Sequence, residues 1–133
     1  MESRVLDASV ILNALFPRER NPRAEAILVR LRAAEGFVPA HWWFEIRNAV
    51  LMAERRGRAS LEQTAAFLKA VNDLPISVAL LPDEVAVLTL ARRHRLTFYD
   101  AAYLELAKRE GFAFATFDYE LMAAAKAEHV PLA

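Results

Sequence analysis

The sequence contains no cysteine, which excludes disulfides, thiolate nucleophiles and zinc–cysteine sites and is compatible with a reducing cytoplasm. Glycine is scarce as well, with three in 133 residues, too few to build a glycine-rich phosphate loop. The three histidines, His41, His94 and His129, are scattered without metal-ligand spacing and read as surface or packing residues. No nucleophile elbow surrounds Ser9 or Ser77. No apolar run approaches the roughly 18 residues of a membrane span, and the start lacks the basic segment and apolar core of a signal peptide. A soluble, cytoplasmic chain with no membrane partner is expected.

Net charge is also lacking, since 17 Lys and Arg face 17 Asp and Glu, and at face value this argues against a polyanion partner. The distribution says otherwise. If four of the acids fill one metal pocket, the remaining 13 face 17 basic residues and the rest of the surface carries +4. Arginines group at Arg18, Arg20 and Arg23, at Arg55, Arg56 and Arg58, and at Arg92, Arg93 and Arg95. Arginine forks suit phosphate, so a basic rim around an acidic pocket is a nucleic-acid footprint, although each cluster also reads as a solvated helix face.

What the chain has in excess is apolar residues. The length fits one domain, residues 1–133. Its hydrophobic fraction of 56% exceeds the roughly 45–50% of ordinary soluble domains, so some apolar surface is expected against another chain.

Short apolar segments alternate with longer helical ones, which predicts an α/β domain with a mostly parallel sheet. Residues 4–6 form a first strand, followed by a helix through Phe16 that Pro17 stops. Asn21 and Pro22 start a second helix, read as running to Gly36 as a left-handed terminator. Residues 37–39 form a short strand, and the next helix carries Glu45 and ends near Gly57. Ser60 and Gln63 spell a capping box for the helix that follows. Residues 76–80 form a strand and 83–95 a helix. A further helix spans 97–110 and ends at Gly111, residues 112–116 form a strand, and a helix covers 119–126.

Four carboxylates sit at the edges of these elements inside apolar stretches: Asp7, Glu45, Asp100 and Asp118. An ionised group is costly to remove from water, so acids in such company need a partner. Ligand sites in open parallel sheets lie beyond the carboxyl ends of the strands, where Asp7 and Asp118 fall. Glu45 and Asn48 share a helix face, and Asp100 lies in a first helical turn. Each acid also has a purely structural reading, which for Glu45 is a solvent-facing helix position. Asp7 and Asp118 suit helix N-caps, Thr97 with Asp100 spells a capping box, and Ser9 and Thr116 suit local capping.

At this point the residues resemble the PIN-domain ribonucleases, and within them the VapC-type toxins of toxin–antitoxin pairs. The opening VLDASVIL resembles that family's first motif, with Asp7 and Ser9. FEIRNAVL is similar to the second, with Glu45 and Asn48. LTFYDAAYLELA resembles the third, with Thr97, Asp100 and Tyr103, and ATFDYEL the fourth, with Thr116 and Asp118. The segments 17–32 and 55–73 match nothing specific.

The resemblance implies a three-layer sandwich with helices on both faces of the sheet, and a metal-dependent endoribonuclease that cleaves RNA phosphodiester bonds and inhibits translation. It implies Mg²⁺ or Mn²⁺, hard cations that prefer oxygen. Asp7 and Asp100 are the expected direct ligands, Asp118 and Glu45 water-holders or proton acceptors, with Ser9, Asn48, Thr97 and Thr116 in support. It also implies a cognate antitoxin, placed near Trp42, Trp43 and the helix after Ser60, and a homodimer. A PIN nuclease in RNA maturation or turnover, and a non-catalytic α/β interaction module, are the competing readings.

Overall fold

A computed structural model of the chain describes residues 3–17, 19–31 and 34–133. Arg18, one member of the first arginine cluster, lies outside them. Four strands, β1 (Arg4–Leu6), β2 (Gly36–Val38), β3 (Ile76–Val78) and β4 (Ala113–Ala115), form one sheet in the order β3-β2-β1-β4. All pairings are parallel. Around it lie α1 (Ala8–Leu15), α2 (Pro22–Arg30), α3 (His41–Arg55), α4 (Leu61–Asn72), α5 (Glu84–His94), α6 (Phe98–Glu110) and α7 (Tyr119–Ala127).

The strand order fixes the layers. From β1 through β2 to β3 the chain steps one way across the sheet, and from β3 to β4 it returns over the whole sheet. Right-handed crossovers therefore put α1 to α4 on one face and α5 and α6 on the other. The packing agrees: α1 touches α2, α3 and α4, while α6 packs on α5, β1 and β4. This is the expected α/β sandwich with helices on both faces.

The layers also account for much of the apolar excess of the chain. Val5 and Leu6 are fully buried on β1, Phe114 on β4, and Tyr103 and Leu104 on α6. From Ala101 to Ala107 every residue of α6 is buried. Three of those seven are alanines, whose small side chains let the helix seat closely on the sheet. Glu105, inside this stretch, is only 3% exposed and is neutralised by Arg109 one turn on, whose Nε donates at 2.8 Å.

Most element ends fall where the sequence puts them. Asn21 caps α2 through Arg23 N–H, Ser60 and Gln63 form the reciprocal capping box, and Gly57 and Gly111 take positive φ after α3 and α6. Three boundaries differ, the largest change being at the second helix. The second helix ends at Arg30, and Gly36 opens β2 instead of terminating a helix. A Cβ at Gly36 would stand 2.9 Å from Leu6 Cδ1 and 3.2 Å from Ile76 Cγ1. Glycine is there because two neighbouring strands leave no room for a side chain. The second strand accordingly covers Gly36–Val38 and the third stops at Val78.

Away from the strand ends, Glu128 ties three helices together. Its carboxylate, 5% exposed, accepts from Arg93 at 2.8 Å and Lys108 at 2.6 Å and lies 2.6 Å from His94 Nε2. The Lys108 ammonium, followed by Arg93 and His94, holds the Glu128 carboxyl down at about 2, against an ordinary 4.5. Because the folded pKa lies below the unfolded one, this stabilisation is complete above about pH 5 and is lost as pH falls towards 2. Two of the bases are half exposed, so solvent screening reduces it to about 1–3 kcal/mol. Glu128→Gln should therefore lower the urea midpoint at pH 7 and flatten its fall between pH 5 and 3. An unchanged acid limb would remove Glu128 from this role.

Candidate active site

The topology brings the four acids to one edge. Asp7 follows β1 directly and Asp118 follows β4 by three residues, so both lie beyond the carboxyl ends of adjacent parallel strands. Glu45 lies near the start of α3, which leaves the same edge after β2. Asp100 lies in the first turn of α6, which runs back into β4 and so begins at that edge. Each of Asp7, Glu45 and Asp100 feels the negative charge of at least one other acid of the group.

Asp7 is the centre of the arrangement. It occupies the N-cap position of α1, yet its side chain makes no capping hydrogen bond. Its Oδ2 instead accepts from Ser9 Oγ and Thr116 Oγ1, each at 2.8 Å. The Thr116 oxygen in turn accepts from Asp118 N–H at 3.0 Å, and Ser9 Oγ from Phe117 N–H at 3.3 Å. The hydroxyls thus lock β1 to the turn after β4 and fix the carboxylate. Asp7 is 8% exposed. Burial pushes its carboxyl up, the two hydroxyls and the Ala8 N–H oppose this, and the nearby Asp118 charge pushes it further up.

The other acids divide between structural and open roles. Asp118 does cap α7, accepting Leu121 N–H at 3.1 Å through Oδ1. Thr97 caps α6 by accepting Asp100 N–H at 3.1 Å, which is half of the capping box the sequence spells. The Asp100 carboxyl is raised by burial first and then by Asp7 and Asp118, with Thr97 acting against them. Glu45 accepts the Tyr103 hydroxyl at 2.5 Å. Burial raises its carboxyl, Tyr103 lowers it, and Asp7 and Asp100 raise it again. The Tyr103 hydroxyl is held far above its ordinary value, by burial first and the Glu45 charge second, and so stays a donor.

Asn48 is exposed and makes no side-chain hydrogen bond among the described residues. Trp42 is 4% exposed and belongs to the core with Ile46 and Val50, so it offers no surface to a partner, whereas its neighbours Trp43 and Phe44 are exposed. His41, read from the sequence as surface or packing, packs against Tyr99 and Tyr103 and also has its Nε2 3.6 Å from Glu45 Oε1. The spacing of four between His41 and Glu45 on one helix was the available signal.

The donor set is all oxygen, and three of its carboxyls are raised by burial and by neighbouring acids, which suits a hard divalent cation. Among the described residues no three His, Asp or Glu side chains stand close enough to form a ready-made metal cage. A cation there would take few carboxylates directly and keep several waters, as Mg²⁺ does.

An all-parallel sheet of this order, with acids gathered beyond the carboxyl ends of the adjacent strands β1 and β4, defines a class. Residues 4–127 match the PIN domain, and the chain belongs to that family. It is 33% identical over 124 residues to ribonuclease VapC3 of Pyrobaculum aerophilum, covering 88% of this chain and 90% of that protein. Ribonuclease VapC3 of Mycobacterium tuberculosis is 29% identical over 128 residues, covering 96% and 91%. Among solved structures, PAE2754 from Pyrobaculum aerophilum superposes with a TM-score of 0.71 at 26% identity, over 92% of this chain and 86% of that one. FitAcB from Neisseria gonorrhoeae shares the fold, with a TM-score of 0.68 at 19% identity over 97% of this chain and 95% of that one.

Proposed function

We propose that the chain is a Mg²⁺- or Mn²⁺-dependent endoribonuclease and the toxin of a type II toxin–antitoxin pair, acting in the cytoplasm. The observation that carries the reading is Asp7. An acid that sits at an N-cap without capping, nearly buried and held by two hydroxyls, is arranged for something other than helix stability. The names of the VapC3 relatives support RNA as the substrate.

Asp7 and Asp100 would hold the cation, and Glu45 and Asp118 would orient water beside it or accept the proton released in hydrolysis. Ser9 and Thr116 orient Asp7, and Tyr103 orients Glu45. The bound cation supplies charge that stabilises the phosphoryl transition state and makes water a better nucleophile. Purified protein should cut RNA with millimolar Mg²⁺ or Mn²⁺ and stop on addition of EDTA; cleavage unaffected by EDTA would refute the metal requirement.

The partner reading rests on exposed apolar side chains. Trp43, Phe44, Leu51, Leu80, Leu81 and Val85 are all at least 46% exposed. Their exposure, together with the apolar excess of the chain, supports a homodimer and a bound antitoxin segment. No helix among the described residues is long and apolar enough to cross a membrane. Light scattering that shows a monomer at high concentration would count against the dimer.

A further inference from the structure

His41 stands beside the acids, and none of the roles above uses it. It opens α3 one turn ahead of Glu45, and its ring packs edge-on against Tyr103 at 5.0 Å and beside Tyr99 at 5.4 Å between centroids. Two aromatic walls fix the ring plane. Its Nε2 is buried without a hydrogen-bond partner and lies 3.6 Å from Glu45 Oε1. That same oxygen accepts the Tyr103 hydroxyl. An unpaired buried nitrogen is costly, so its place against a carboxylate calls for a use.

We infer that His41 is a positioning residue for Glu45. A small closing movement converts the 3.6 Å contact into an Nε2–H donation to Oε1. Tyr103 and His41 then occupy Oε1 from two sides, and Oε2 is left as the oxygen free for the site. Fixing one oxygen in this way holds the carboxylate plane, and catalytic groups lose much of their effect when displaced by about 1 Å. The inference rests on the nuclease reading for its catalytic consequence, but the hydrogen bond itself does not.

Two measurements separate these levels. In the metal-free chain, long-range ¹H–¹⁵N correlation of the imidazole should show the His41 proton on Nε2. The Tyr99 backbone is the competing partner for the ring, and a proton fixed on Nδ1 would leave a lone pair facing Glu45 and overturn the inference. In RNA cleavage, His41→Phe keeps the aromatic packing but loses the donor, and should lower kcat about ten- to a hundredfold with KM unchanged, the worth of one hydrogen bond to a charged group. His41→Gln, whose amide reaches the Nε2 position, should recover most of that loss. Wild-type kcat in His41→Phe, or a glutamine variant as poor as the phenylalanine one, would also overturn it. Should the wild type cut no RNA with either metal, the nuclease reading fails while the position of the imidazole proton still decides the hydrogen bond.

Discussion

Asp7→Asn should reduce metal-dependent RNA cleavage by about 10²–10⁴-fold, because a carboxylate holding a divalent cation supports several kcal/mol of transition-state stabilisation and each 1.4 kcal/mol is about tenfold. The substitution is nearly isosteric. Its amide oxygen still accepts the Ser9 and Thr116 hydroxyls that now bond Oδ2 at 2.8 Å, so the turn after β4 stays tied to β1 and the loss reports charge. The same change removes an ionised acid that burial disfavours, so the metal-free variant should melt no lower than wild type. Single-turnover cleavage with Mg²⁺ or Mn²⁺, alongside melting curves in EDTA, gives both quantities. Activity within about threefold of wild type, a difference under about 1 kcal/mol, would place the catalytic centre elsewhere.

The fold and the site are unequally legible in the sequence. The alternation of strands and helices, and caps such as Asn21, Ser60 and Thr97, depend on neighbours a few residues apart, and the sequence pattern located them well. Gly36 was misread because helix termination and close strand packing both call for glycine, and only the positions of Leu6 and Ile76 tell them apart. The site depends on still longer connections. Thr116 reaches Asp7 across 109 residues and Tyr103 reaches Glu45 across 58, pairings that no local periodicity encodes. Trp42 shows the same limit in reverse. Two adjacent tryptophans read alike, but the helix turns one into the core and its neighbour outward.

Asp118 is where the structural and metal readings overlap, and two substitutions pull them apart. Its Oδ1 accepts Leu121 N–H at 3.1 Å, so it caps α7, and its charge bears on Asp7 and Asp100. Asp118→Ala removes both cap and charge and should cost about 0.5–2 kcal/mol in EDTA, offset in part by relief of repulsion within the acid group. Asp118→Asn keeps a capping oxygen as good as aspartate and removes only the charge, so in EDTA it should match or exceed wild type. Metal then reverses the order. Binding to the native state adds stability by mass action, about 2.7 kcal/mol when the cation is at about a hundred times its Kd. Wild type should gain this in full, while both variants, with weakened cation affinity, should gain less. The readout is a pair of melting curves per protein at low ionic strength, one in EDTA and one in millimolar Mg²⁺ or Mn²⁺. An asparagine variant that gains as much as wild type would leave Asp118 a cap and nothing more, since its charge would then contribute nothing to holding the ion.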